Sequence, residues 1–185
     1  IGSKILSENI ELKVFGTDKI CIIGENGIGK TTLLKIILDN IKKNVKIAYM
    51  PQNYEERLPF DLTPVEYLAP SGRKEDATMV RTYLGSMKYT SDEMFHPIRE
   101  LSGGQKAKLF LLKISLTEAN VLILDEPTAG LDPAGREDLF RQIDELHRVE
   151  GMTILLVSHS MDDVARYAEQ VLVLSGGELK MSGSP

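Results

Sequence analysis

The sequence has no tryptophan, a single cysteine and only 6% aromatic residues in 185 positions. With one thiol, Cys21, no internal disulfide can form, which points to a reducing, cytoplasmic setting and away from a disulfide scaffold. Cys21 stands in an apolar run, where a small buried core residue is the simplest reading. No apolar stretch approaches the roughly 20 residues that span a bilayer, so direct membrane insertion is excluded. No secretory leader pattern is found. Excess positive charge is lacking as well: 22 Lys and Arg against 27 Asp and Glu give a formal net charge of −5. That balance argues against a general nucleic-acid binder. The first residue is Ile1 rather than Met, and the chain is expected to be truncated at its N-terminus.

What is present is the composition of one ordinary globular domain, 42% hydrophobic and 26% charged, with no repeat and no linker. Four short apolar runs, residues 20–23, 45–50, 121–124 and 153–157, read as buried strands. Helical patterns alternate with them at 31–40, 105–116 and 133–150. The last opens on Asp132 and Pro133 and closes on Gly151, a cap, a first-turn proline and a terminating glycine. Strand and helix in alternation predict an α/β fold with a mainly parallel sheet. Residues 171–181 read as a hairpin turning at Ser175, Gly176 and Gly177. No convincing strand falls in 63–119. Thr63 to Glu66 is a capping box, and 75–84 is a further helical pattern. This stretch is expected to be a helical subdomain inserted into the single domain.

The chemistry begins at Gly24-Glu25-Asn26-Gly27-Ile28-Gly29-Lys30-Thr31, followed by Thr32. A glycine-rich loop after a strand and before a helix can turn backbone N–H groups toward phosphates. The helix start adds partial positive charge. Lys30 is expected on the β- and γ-phosphates of ATP and Thr31 on Mg²⁺. A strand ending in Asp125 and Glu126 follows. Such an ending usually marks a solvated strand terminus. Beside a phosphate loop, Asp125 is placed to hold Mg²⁺ through water, and Glu126 to act as general base. Leu101-Ser102-Gly103-Gly104-Gln105 opens another helix with free N–H groups and a hydroxyl. A second phosphate reader predicts that ATP is gripped by two surfaces.

These motifs, in this order, resemble the ATP-binding cassette (ABC) family over nearly the whole chain. The resemblance implies an ABC nucleotide-binding domain with a P-loop NTPase core, hydrolysing ATP with Mg²⁺. It implies that Gln52 senses Mg²⁺ and γ-phosphate and that His159 is the switch histidine on the γ-phosphate. Asp132, in Ala129-Gly130-Leu131-Asp132, would belong to the loop crossing to a second, head-to-tail cassette. Ser102, Gly103, Gly104 and Gln105 would then serve the ATP of that second cassette. His96 and His147 match nothing and read as structural. The aromatic that stacks on adenine in this family is missing, and Phe15 falls too late to replace it. Weak discrimination between ATP and GTP is therefore expected.

Within the family the resemblance divides. Residues 1–128 look like ribosome-acting ABC-F cassettes, on Tyr49-Met50-Pro51-Gln52-Asn53-Tyr54, Tyr83-Leu84-Gly85 and Leu101 to Lys108. Residues 129–185 look like ATPase subunits of energy-coupling-factor importers, on Leu131-Asp132-Pro133-Ala134-Gly135-Arg136 and Ser158-His159-Ser160-Met161. The expectation that follows is a chain of two origins joined near residues 126–128, leaning to a ribosomal partner. An importer subunit, peripheral to the membrane through a membrane transporter subunit, is the alternative. A fold without a physiological partner is the other.

Overall fold

The computed structural model describes residues 14–41, 45–175 and 178–182. Among the described residues six strands form one sheet: β1 Lys19–Ile23, β2 Ile47–Met50, β3 Val121–Asp125, β4 Thr153–Ser158, β5 Gln170–Ser175 and β6 Glu178–Ser182. Their order is β2-β3-β4-β1-β5-β6. Every pairing is parallel except that of β5 with β6.

The apolar runs are continuous because both faces of the sheet are covered. Side chains alternate along each strand. Ile20, Ile22, Ile123, Leu155, Val157 and Leu172 pack on one face with Leu33 and Leu34 of helix α1 (Lys30–Asn40). Cys21, Ile23, Leu122, Leu124, Ile154 and Leu156 face the other way. They join α5 (Gly103–Ser115) and α6 (Pro133–Glu150) through Leu109, Leu111, Leu139 and Phe140. Truncating a fully buried leucine such as Leu34 or Leu122 would cost about 2–5 kcal/mol, from lost burial and the cavity left behind.

Residues 51–120 contain no strand. They hold α2 (Pro64–Leu68), α3 (Lys74–Ser86), α4 (Ser91–Phe95) and α5, with 3₁₀ turns at Tyr54–Arg57 and Ile98–Glu100. Val65, Leu68, Val80, Leu84 and Met94 extend the same core cluster that α5 joins. Capping boxes start α2 at Thr63 and α4 at Thr90. Each satisfies two N–H groups that a helix start leaves free, worth about 1 kcal/mol.

Several boundaries differ from the sequence expectation. β2 starts at Ile47 rather than Val45, because the carbonyl of Lys46 turns to accept from the N–H groups of Asn120 and Val121. α5 starts two residues early, since Ser102 caps it. α4, α7 (Met161–Tyr167) and both 3₁₀ turns were not foreseen. The hairpin is present as β5 and β6, with Ser175 opposite Glu178; its turn residues Gly176 and Gly177 lie outside the described residues. No helix among the described residues is long and apolar enough to cross a membrane.

Candidate active site

β1 ends at Ile23 and the chain turns over Gly24 to Gly29 into α1. Gly29 has φ 110°, a conformation open to glycine and strained for other residues. It caps the helix without a side chain, so the first-turn N–H groups stay clear for a ligand. Lys30 folds back over the loop. Its Nζ donates to the carbonyls of Gly24 (2.8 Å) and Glu25 (3.2 Å) and lies 3.5 Å from Glu126 Oε1. Both charged side chains of that pair are buried.

At the neighbouring strand end, Thr31 Oγ1 donates to Asp125 Oδ1 at 3.3 Å. Asp125 is 1% exposed, and its Oδ2 has no hydrogen-bond partner among the described residues. Burial pushes the Asp125 carboxyl above its ordinary value, and the nearby Glu126 charge adds to this; the Thr31 hydroxyl and Lys30 oppose it. Glu126 has φ 49°, uncommon for a residue with a side chain. Its N–H, bonded to the carbonyl of Val157 at 3.0 Å, fixes that turn. The carboxylate consequently faces both Lys30 and His159, with His159 Nδ1 at 2.7 Å from Oε2.

A cleft of about 380 Å³ opens here. The loop and α1 contribute Asn26, Gly27, Gly29, Lys30, Thr31 and Thr32, and three strand ends contribute Gln52, Glu126 and His159. Those residues follow β2, β3 and β4, adjacent strands whose carboxyl ends share one rim, the usual ligand edge of a parallel sheet. Asn26 and His159 also line a second, more apolar hollow, with Ile23, Gly24, Glu25, Met161 and Val173. Phe15 is exposed and lines neither.

The set Thr31 hydroxyl and Asp125 carboxylate suits a hard cation such as Mg²⁺, which takes oxygen donors. No group of three or more His, Cys, Asp and Glu among the described residues could hold a metal. A cation here would need further oxygens from phosphate and water.

Ser102, Gly103, Gly104, Gln105 and Asp132 do not line the cleft. Ser102 Oγ accepts from Gln105 N–H, and Gln105 Oε1 accepts from Ser102 N–H at 2.8 Å. The Gln105 amide also donates to Glu93 on α4. Asp132 caps α6 by accepting from Gly135 N–H at 2.8 Å.

Sequence reasoning passed over a buried set behind this rim. Thr128 Oγ1 donates to Asp163 Oδ2 at 3.2 Å, and Arg136 Nη1 lies 3.6 Å from Asp163 Oδ1. Asp163 is 3% exposed and Thr128 4%. The set joins the segment after Glu126 to the helices that follow Asp132 and His159. Only a run of two acidic residues after Ser160, itself the α7 cap, hinted at it. Cys21 is buried as expected; burial, with the charges of Asp163 and Glu126, pushes its thiol up to about 12, so it is inert as a nucleophile.

Comparison with known proteins agrees with this geometry. A family profile described as ABC transporter matches residues 7–129. The chain is 33% identical to the energy-coupling factor transporter ATP-binding protein EcfA2 of Clostridium perfringens, covering 97% of this chain and 73% of that protein. It is 31% identical to the zinc import ATP-binding protein ZnuC of Hydrogenovibrio crunogenus, over 100% and 81%. Its fold resembles the dimeric post-hydrolysis state of the ATP-binding cassette MJ0796 bound to ADP and Pi, with TM-score 0.78, 23% identity, and 99% and 93% coverage.

These findings correct the expectation of two origins. Single EcfA2 relatives align across 95–100% of the chain, through residues 126–128. The ABC-F likeness of residues 1–128 and the ribosomal partner are withdrawn. At the supposed junction the chain is continuous with its surroundings: Thr128 is buried against Asp163, and the Glu126 N–H donates to Val157 of β4. The short local motifs in residues 1–128 do not set those residues apart from EcfA2 proteins, which match them within the same alignments. From the glycine loop before α1 to the strand that His159 follows, this chain belongs to the ABC transporter family and is an ATP-hydrolysing cassette.

Proposed function

We propose that this chain is the ATP-hydrolysing subunit of an energy-coupling-factor-type importer, cytoplasmic and held at the membrane by a membrane transporter subunit. The observation that carries the reading is the division of the motifs. Lys30, Thr31, Gln52, Glu126 and His159 meet in one cleft, while Ser102, Gly103, Gly104 and Asp132 lie elsewhere. A cleft holding only half of the phosphate readers suits an ATP shared with a second cassette, packed head to tail. The family likeness to EcfA2 proteins, at 31–34% identity, supports the importer assignment.

In this reading the N–H groups of Gly24, Glu25, Asn26, Gly27, Ile28, Gly29 and the start of α1 cradle the phosphates, with Thr32 at the same helix start. Lys30 leaves the Gly24 and Glu25 carbonyls and neutralises β- and γ-phosphate charge. Thr31, Asp125 and Gln52 would hold Mg²⁺, which when bound offsets phosphate charge. Glu126 takes the proton of the attacking water. His159 holds that carboxylate and meets the γ-phosphate with its other ring nitrogen. Ser102, Gly103, Gly104 and Gln105 close on the ATP of the second cassette, and Asp132 lies in the crossing loop. Residues 63–119, the inserted helical subdomain, face the membrane subunit. Closure around ATP and reopening after hydrolysis move that subunit.

The test is co-expression with the membrane subunits of an energy-coupling-factor transporter. A stable complex should form, with solute uptake lost in Lys30→Ala. Failure to assemble, or uptake indifferent to Lys30, refutes the importer reading.

A further inference from the structure

The crossing of α5 and α6 is too close for side chains. A Cβ placed on Gly104 would lie 2.9 Å from Gly135 Cα. One placed on Gly135 would lie 2.8 Å from Asp132 Oδ1 and 3.3 Å from Gly104 Cα. Nearby, Leu131 Cδ2 sits 3.3 Å from where a Gly103 Cβ would be. Gly104 is the second residue of α5 and Gly135 the third of α6, so the two helix starts meet backbone to backbone. Glycine inside a helix is unfavourable relative to alanine. What it provides here is approach.

We propose that Gly135 is a positioning residue for ATP hydrolysis: it lets α6 lie against α5, so that Ser102, Gly103 and Gly104 form one rigid block with Leu131 and Asp132. This rests on the reading that ATP is shared between two cassettes, here two copies of this chain. The block is what one copy offers to the ATP bound by the other. Any side chain at 135 pushes on two things at once: the Gly104 backbone and the carboxylate that caps α6. The Gly104 backbone, 3.3 Å away, must give by a few tenths of an ångström, and the carboxylate can move aside only by loosening its 2.8 Å bond from Gly135 N–H. The phosphate readers would then be misplaced by a few tenths of an ångström, while the cleft of the same chain, which contains none of these residues, is left intact.

The test is Gly135→Ala, read first on the single protein. Turnover should fall about tenfold, short of the roughly hundredfold that a full ångström misplacement can cost. ATP affinity of the monomer and the thermal melt should stay near wild type. Mixing then separates positioning from general damage. Gly135→Ala spoils the block a chain offers to its partner, whereas Lys30→Ala spoils its own cleft. A mixed pair contains one site with both halves intact. Equal mixing should restore about a quarter of wild-type turnover, the share of sites that random pairing in a two-fold dimer rebuilds. Ser102→Arg mixed with Lys30→Ala is the control. If the control recovers turnover and Gly135→Ala does not, the positioning role is wrong and the shared site stands. If neither recovers, the shared-site reading fails and takes this inference with it. Wild-type turnover in Gly135→Ala alone overturns the inference directly.

Discussion

His159 Nδ1 lies 2.7 Å from Glu126 Oε2, although 33 residues separate them in the chain. A carboxylate accepts, so Nδ1 donates in this contact, and Nε2 is the ring nitrogen turned away from Glu126. The histidine thus orients the carboxylate that Lys30 approaches from its other oxygen.

That arrangement predicts the behaviour of Glu126→Gln. The amide keeps the shape of the site and loses the proton acceptor. Hydrolysis should fall by about 10²–10⁴-fold, the usual contribution of a positioned base. ATP should still bind, and the uncleaved nucleotide should hold two chains together. Size-exclusion chromatography with Mg-ATP reads this out. A variant that remains monomeric at saturating ATP contradicts the shared site.

Lys30→Ala should abolish ATP use without unfolding the chain. The variant removes the ammonium that faces both the loop carbonyls and Glu126. Glu126 loses that partner but stays held by His159 at 2.7 Å and by its backbone bond to Val157. Nucleotide affinity and ATPase rate, measured beside a circular-dichroism melt, check the claim. Wild-type turnover would remove Lys30 from the site.

Asp163→Asn should destabilise the fold while leaving nucleotide affinity largely unchanged. Asparagine still accepts from Thr128 but no longer pairs with Arg136. Breaking a buried pair costs about 3–5 kcal/mol; with the Arg136 side chain 39% exposed, solvent reduces this to about 1–3 kcal/mol. The shift in urea midpoint measures it. Adding Arg136→Met should recover part of the loss, because no uncompensated charge remains. A midpoint unchanged in Asp163→Asn would mean that the pair contributes nothing.

Glu93 gives a prediction in pH. The backbone N–H of Thr90, then the Gln105 amide, hold its carboxylate below the ordinary glutamate value. A carboxylate with a lowered folded value adds stability that is complete above the unfolded value and lost as pH falls through the folded one. An NMR titration should therefore find the Glu93 midpoint depressed, and Gln105→Ala should raise it. A midpoint at or above the ordinary value would sink the cap.

Legible in the residues alone were the glycine-rich turn before α1, the Asp125-Glu126 strand end, the caps at Thr63 and Asp132, and the α/β class. These depend on neighbours a few residues apart: backbone φ, helix-start N–H groups, and apolar runs buried on both sheet faces. Five-residue α4 is too short to show a period, though Thr90 and Glu93 spell its capping box. Local motifs also misled, since the apparent division at residues 126–128 came from short matches that carry no subfamily. The family resemblance implied that Lys30, Glu126 and His159 serve one ATP, but their direct contacts, Lys30 on one carboxylate oxygen of Glu126 and His159 on the other, come from the folded chain. That follows from the order β2-β3-β4-β1, which sets three strand ends beside one loop. Tertiary structure alone placed Gly135 on Gly104 and Asp163 between Thr128 and Arg136. Such contacts join residues about 30 positions apart and are fixed by strand pairing and helix packing across the whole core, which no local stretch of sequence encodes.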